Sequence, residues 1–408
     1  MTNPNQLWKK PVLCAGVLLA SLVFSCQQEG ESPITGDSVE FVKYQSGDII
    51  PGQYIITFQP SEINFRKDLS YSATQDAMRK TSSALLAKYR VAEENLTYVY
   101  GNSIQGFAVT LSEEQLESIS KDPSVKGIEP DRIIALAPPP GKGPGNGGGG
   151  GSASQETPYG ITRVGGGATY SGSKKAYIID SGIDSSHPDL NVNVNAGFNA
   201  FTKGKDSDLS SDGNGHGTHV SGTIGAIDNS IGVIGVAAGV TVVPVKVLDS
   251  RGSGSYSGVI AGVDFVTANA NSGDVANMSL GGPVSSALDA AVVALGGAGV
   301  KVALAAGNES DDANNHSPAR ANGGNIYTVS AIDINDKFAS FSNFGNPPID
   351  FAAPGVGVLS TVPGGYASYS GTSMASPHVC GLLIWGTPRN GGTATNDPSG
   401  PADIIAIR

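Results

Sequence analysis

The alternation of apolar and polar positions divides the chain into two folding stretches separated by a segment without pattern. From Gly52 onward, Tyr54-Ile55-Ile56-Thr57-Phe58 predicts a strand, residues from about Thr74 to Tyr89 a helix, and runs at 96–100 and 104–110 two more strands. Ser112-Glu113-Glu114-Gln115 is a capping-box pattern, starting a helix in which Leu116 and Ile119 share a face. Val125 to Ile128 closes this unit, a small α+β domain over residues 49–136. Farther on, apolar runs at 175–179, 241–248, 274–280, 300–306 and 325–332 predict strands, and segments near 216–227, 256–270, 285–296 and 373–385 are helix-compatible. Strands alternating with helices predict an α/β domain over 155–408: a mainly parallel sheet with helices on both faces.

The segment between them, from Ala137 to Ser154, runs from Pro138-Pro139-Pro140 into an unbroken Gly147–Gly151 and reads as a linker. Residues 27 to about 48 are polar without a sustained apolar period and read as a tether. Ahead of them, the apolar stretch Val12 to Phe24 follows Lys9 and Lys10 and is only thirteen residues long, so residues 1–26 read as a secretion signal. Val23-Phe24-Ser25-Cys26 resembles a bacterial lipoprotein processing site, which would make Cys26 the lipidated first residue and anchor the protein to the cell envelope. An ordinary secretory signal, with Cys26 discarded or a bystander, is the alternative; both put the protein outside the cytoplasm. Cys14 and Cys26 belong to the signal, leaving Cys380 as the one cysteine in the folded part and excluding a disulfide framework.

Composition narrows the picture. The 408 residues, 39% hydrophobic and 15% charged, suffice for one large domain and a smaller one. Glycine, at 56 residues, follows no three-residue period, which excludes collagen. The 36 acidic against 25 basic residues give a net charge of -11 and argue against a nucleic-acid partner.

Three islands place a reactive side chain among glycines, serines and alanines. Tyr177-Ile178-Ile179-Asp180-Ser181-Gly182 is an apolar strand ending on a carboxylate, where parallel sheets put their ligands, although such an aspartate is also a common turn or cap residue. In Asn214-Gly215-His216-Gly217-Thr218-His219, glycines flank His216 and allow close approach. A mobile loop histidine is the plain alternative; His216 and His219 as a zinc pair lack the His-Glu-x-x-His arrangement. Ser370-Gly371-Thr372-Ser373-Met374-Ala375-Ser376-Pro377-His378 sets Ser373 at the positive end of a helix, a seat for an anion-forming nucleophile or for a simple N-cap.

The order Asp180, His216, Ser373 is the subtilisin order, and from about Gln155 to Gly381 the chain resembles the subtilisin-like serine proteases. The resemblance implies a subtilisin-like sheet preceded by a ferredoxin-like inhibitory propeptide, and a serine endopeptidase made as an autoinhibited zymogen. By that match Ser373 attacks the peptide carbonyl, His216 moves the proton, Asp180 orients the imidazole, and Asn308 with the Ser373 N–H holds the oxyanion. Ala305, Ala306 and Gly307 lead into Asn308; Ser279, Leu280, Gly281 and Gly282 would pair with the substrate backbone as an added strand, and Tyr256 would flap over a distant subsite or be an ordinary surface tyrosine. The expected cleft carries no dedicated fixed charge and prefers apolar or aromatic side chains before the cleaved bond.

The loop from Ile227 to Val233 resembles the family's structural calcium loop. The match implies side-chain oxygens from Gln155, Asp189 and Asn229 and carbonyls from Ile227, Ile231 and Val233, unless the loop is a turn that binds nothing. Partners implied are polypeptide substrates and the propeptide itself, whose tail beyond Asp131 should lie in the cleft; the enzyme should be a monomer. Two departures stand out: the linker leaves the processing bond anywhere between about Ile134 and Ser154, and after Gly381 a Gly/Asn/Pro-rich tail replaces a long buried helix, with Pro388 as its stop. That short end could leave apolar surface bare. A proteolytically dead, calcium-stabilised binding lipoprotein on the same scaffold is the rival reading.

Overall fold

The computed structural model describes residues 45–60, 70–136 and 154–408. The signal, Cys26, the tether up to residue 44 and the linker from 137 to 153 lie outside the described residues. Two sheets carry the architecture. The smaller is antiparallel throughout, ordered Ser253–Ser255, Val125–Ala135, Ile49–Phe58, Gly106–Thr110, Leu96–Tyr100.

Its period-two pattern gives it two apolar faces. Ile56, Phe58, Phe107 and Val109 pack on Met78, Leu85, Leu86 and Ile119 from the helices Tyr71–Lys88 and Glu113–Ile119. Their neighbours Ile55, Ala108, Tyr100 and Ile134 face the other way, into a core shared with Tyr256, Val259 and Ile260 of the large domain. Both helices begin on serine caps: Ser70 accepts from the Ala73 N–H, and Ser112 with Gln115 forms the reciprocal capping box.

The larger sheet has nine strands, ordered Arg389–Thr393, Ile404–Ile407, Ile349–Pro354, Ile326–Ile332, Lys301–Ala305, Val275–Met278, Lys175–Asp180, Thr241–Lys246, Phe198–Asn199. Every pairing is parallel except the terminal hairpin Arg389–Thr393 with Ile404–Ile407. Alternate residues serve opposite faces. Tyr177 and Ile179 meet the helices Tyr256–Asn269 and Ser286–Gly297, whereas Ala176 and Ile178 meet Tyr159–Val164, His216–Gly225 and Thr372–Trp385. Among the described residues, no helix is long and apolar enough to cross a membrane.

Two expectations need correction. The tail after Gly381 is not bare: the helix runs to Trp385, and the chain then folds back so that Ile404–Ile407 extends the sheet, burying Ile405 and Ala406. Arg408 lies over the Trp385 ring, 3.8 Å from its centroid. The hairpin partner of Ile404–Ile407, Arg389–Thr393 with the sequence Arg-Asn-Gly-Gly-Thr, has no apolar position, and Ile404–Ile407 is only four residues long, so neither leaves a periodic signal. The tether, too, ends before residue 48, because Gln45–Asp48 hydrogen-bonds into the small domain.

Candidate active site

Asp180 ends the strand Lys175–Asp180 and is fully buried, its Oδ1 accepting from the Ser181 N–H at 2.7 Å. His216 opens the helix His216–Gly225, and its Nδ1 lies 2.8 and 2.9 Å from the two carboxylate oxygens of Asp180. Glycine makes that approach sterically feasible: a Cβ on Gly217 would stand 2.2 Å from the Gly182 carbonyl oxygen. Asp212 fastens strand end to helix start, accepting from the Ser181 hydroxyl and from the Gly215 and Thr218 N–H groups. An imidazole tied at Nδ1 to a buried carboxylate has its tautomer fixed and offers Nε2 as proton acceptor.

His219 faces elsewhere. Its Nε2 meets the Val358 and Ala367 carbonyls and its ring stacks on Tyr369, 4.4 Å between centroids. Burial, aided by the nearby His216, pushes it down to about 3, so it is neutral. The two histidines therefore do not converge on one ligand position, and among the described residues no group of three His, Cys, Asp or Glu could hold a metal.

Ser373 lies in the first turn of the helix Thr372–Trp385, whose N-cap is Gly371; the serine is not the cap. The helix packs against the one led by His216. Its register is fixed from the strand Val275–Met278: Ser279 Oγ donates to the Ser373 carbonyl at 2.8 Å, Asn277 donates to Ser279, and Ser376 donates to Asn277. The Ser373 hydroxyl donates to the Ser279 carbonyl at 3.2 Å. Asn308 accepts through Oδ1 from the Thr372 N–H and hydroxyl, at 2.8 and 3.0 Å, which leaves its amide nitrogen to donate. Sequence reasoning missed Asn343, whose amide grips this loop by donating to the Ala306 carbonyl and accepting from Glu309 and Asp311 N–H groups.

Asn308 and Ser373 line a cavity of about 300 Å³ together with Ser279, Leu280, Gly281, Gly282, Ala305, Ala306 and Gly307, and with Ala135 and Leu136 of the small domain's tail. Glu309 and His316 also line it, so the lining is not made of uncharged residues alone. Glu309 directly follows Asn308 and could have been noticed; His316 is brought in by the fold and could not.

The small domain's tail enters this cleft. Ile133, Ile134 and Ala135 pair antiparallel with Ser255, Gly254 and Ser253, and the Leu136 N–H donates to the Gly252 carbonyl at 2.9 Å. On its other edge the tail bonds to Gln45–Asp48, with Gly47 N–H on Ile133 O, Ile133 N–H on Asp48 O and Ala135 N–H on the Ser46 hydroxyl. Residues 279–282, expected to pair with the substrate backbone, do not take this edge of the docked tail. Instead Ser46 and Gly47 lie against Gly282 and Pro283, and Gly282 pairs with Ser317. Tyr256 is no surface residue; it is 1% exposed and donates to the Pro283 carbonyl at 2.6 Å.

Three carboxylates lock the two domains together. Glu129 accepts from the Ser285 hydroxyl and Ala287 N–H at one helix start, and Asp131 accepts from Ser257 at another. Asp264 returns the favour, accepting from the Asn102 and Ser103 N–H groups. Burial pushes Asp131 up to about 6 despite its hydrogen bonds from Ser257 and Arg132.

Gln155, Asp189 and Asn229 also meet. The Asn229 N–H donates to Gln155 Oε1 at 2.9 Å, its amide nitrogen to Asp189 Oδ1 at 2.8 Å, and the Val233 N–H to Asp189 Oδ2 at 3.1 Å. Asp189 is a fully buried carboxylate held by neutral donors among amide oxygens, a donor set that suits a hard cation.

Comparisons agree with this picture. Residues 176–385 match the subtilase family and residues 53–137 the peptidase inhibitor I9 family. Subtilisin E of Bacillus subtilis (strain 168) is 40% identical over 323 residues, 77% of each chain. The cuticle-degrading protease of Metarhizium anisopliae is 37% identical over 357 residues, 84% of this chain and 81% of that one. A solved structure, a cold adapted subtilisin-like serine proteinase, aligns with 38% identity and a TM-score of 0.51 over 61% of this chain and 96% of the other.

Proposed function

The chain belongs to the subtilase family of serine endopeptidases and carries an I9 inhibitory propeptide, and from that premise we propose how its own residues divide the work. Ser373 attacks the scissile carbonyl, His216 accepts the hydroxyl proton and returns it to the leaving amine, and Asp180 stabilises the imidazolium. The resulting acyl-enzyme is hydrolysed by water through the same steps in reverse roles. Asn308 and the Ser373 N–H donate to the oxyanion. The observation that carries this reading is the Nδ1 contact of 2.8 Å between His216 and the buried Asp180, beside the helix that bears Ser373.

Residues 49–136 act as the inhibitor, 137–154 as the linker and 155–408 as the peptidase; self-cleavage falls between about Ile134 and Ser154. Residues 1–26 direct export, and Cys26 carries the lipid where the chain is anchored to the envelope. Calcium is held by Gln155, Asp189 and Asn229 with the carbonyls of Ile227, Ile231 and Val233, after the Asn229 amide turns its oxygen inward. The bound ion would tie the start of the mature domain to its core.

A fluorophosphonate tests the central assignment. The processed enzyme should be labelled stoichiometrically at Ser373, and Ser373→Ala should lose labelling and lower peptide hydrolysis by on the order of 10⁶-fold, while the full-length chain accumulates uncut. A folded, calcium-loaded protein that neither labels nor processes itself would overturn the reading. Mass spectrometry of the native N-terminus reads both the signal and self-processing cuts.

A further inference from the structure

The segment just upstream of the inhibitor's first strand is a turn built against the enzyme. The Asp48 N–H donates to the Gln45 carbonyl at 3.1 Å, the Gln45 N–H donates to Asp48 Oδ2 at 2.7 Å, and Gly47 takes the third position with φ +94°, the arrangement of a type II turn. One side of the turn grips the tail. Besides the bonds of Ser46, Gly47 and Asp48 to Ile133 and Ala135, the side chain of Arg132 donates through Nη1 to the Gly47 carbonyl at 2.8 Å. The other side touches the peptidase: Ser46 lies beside Gly282, and Gly47 stands so close to Pro283 that a Cβ would meet its ring at 2.7 Å. Tyr256, buried in the shared core, fixes that surface through its bond to the Pro283 carbonyl. Gln45 and Ser46 also reach the wall of the cavity that holds Ser373.

The geometry points to a latch: the turn Gln45–Asp48 keeps the tail in the cleft after the chain is cut, so the appearance of activity is governed from the upstream end of the inhibitor. The inference rests on residues 49–136 being the inhibitor and Ser373 the nucleophile. Cutting the chain makes the tail a free end, and free ends fray unless tied down. Here the tail is tied on two sides. Leu136 directs its N–H to Gly252 of the peptidase, whereas Ile133 and Ala135 direct theirs to the turn. Without the turn, those two N–H groups and the Ile133 carbonyl lose their partners at a place where Ile133 and Ile134 are buried. Every bond from turn to tail lies within the inhibitor, so the tail is extended before it docks and the cost of ordering it is met in folding. The turn also touches Gly282 and Pro283, where a competing peptide strand would have to enter.

The test follows the full chain through activation, reading the cut by gel and activity with a short fluorogenic peptide. The quantity measured is the interval between them. Deleting Gln45–Asp48, which joins the tether directly to Ile49, should shorten that interval at least about tenfold, as expected when several hydrogen bonds are lost. Deleting Glu31–Ile34 from the tether should leave it unchanged. Gly47→Asn keeps a residue that tolerates positive φ but sets a Cβ against Pro283, and should shorten the interval about threefold. In a Pro283→Ala background the same substitution should change nothing, a rescue that a turn weakened on its own would not show. An interval indifferent to the loss of Gln45–Asp48, or shortened as much by the loss of Glu31–Ile34, overturns the inference. Where the deleted chain fails to fold, Gly47→Asn decides: an unchanged interval, or a change that persists beside Pro283→Ala, overturns it equally. A parent chain that cuts itself but ignores the turn brings down the latch alone. One that neither cuts itself nor takes up the fluorophosphonate brings down the assignment of Ser373, and the latch with it.

Discussion

The inhibitor sheet and the peptidase sheet both have two apolar faces, and they cover them differently. The peptidase sheet clothes each face with its own helices, so Ile178 and Ile179 are buried within one domain. The inhibitor clothes one face with the helices Tyr71–Lys88 and Glu113–Ile119, while Ile55, Ala108, Tyr100 and Ile134 rely on the enzyme. Its fifth strand, Ser253–Ser255, is also borrowed. One region is therefore a complete domain, the other one that is completed by what it inhibits.

The sharpest way to break this dependence is Ile134→Asp, which sets an unpaired charge into the shared core. Docking should weaken roughly a thousandfold, the equivalent of about 4 kcal/mol. It would be read as lost amide-exchange protection of Val125–Ala135 in a Ser373→Ala background, with the peptidase strands unaffected. Calcium removal should do the converse: chelation, or Asp189→Ala, should lower the melting temperature of the peptidase domain by about 10 °C, as expected when a ligand at roughly a thousand times its Kd is lost. Scanning calorimetry with and without calcium checks it.

A subtler probe is pH. Asp131 sits near 6 when docked, above an ordinary carboxyl, so the docked state holds its proton more tightly. Docking is therefore strongest below about pH 4 and loosens as pH rises through about 6, by up to about a hundredfold from this group. Asp131→Asn should remove that part of the pH dependence in the exchange experiment. Gly47→Ala should have the smallest effect. Gly47 has φ +94°, and a Cβ there would stand 2.7 Å from Pro283 Cγ. Disturbing the segment wedged beside the tail should speed self-processing about threefold, consistent with a cost of under 1 kcal/mol, as followed by gel.

How much was legible beforehand follows from the same comparison. Strands of the large sheet are buried on both faces, so Lys175–Asp180 and Lys301–Ala305 stand out as apolar runs with small shifts at their ends. Ile349–Pro354 escaped because Asp350 interrupts it, and Arg389–Thr393 because its glycines carry no period. Asp180, His216 and Ser373 were readable from the glycines and alanines around them, which mark close approach. The wedge at Gln45–Asp48 and the pairing of His316 with Glu309 and Asp311 had no such mark. Both are formed by polar residues whose neighbours are chosen by the tertiary fold.

The borrowed face also gives activation a direction. Once the chain is cut and the inhibitor drifts away, Ile55, Ala108, Tyr100 and Ile134 meet water together, and the departing piece becomes loosened polypeptide in front of a newly opened protease. Each inhibitor destroyed removes a partner that could rebind, so the first escape works as a ratchet for every later one.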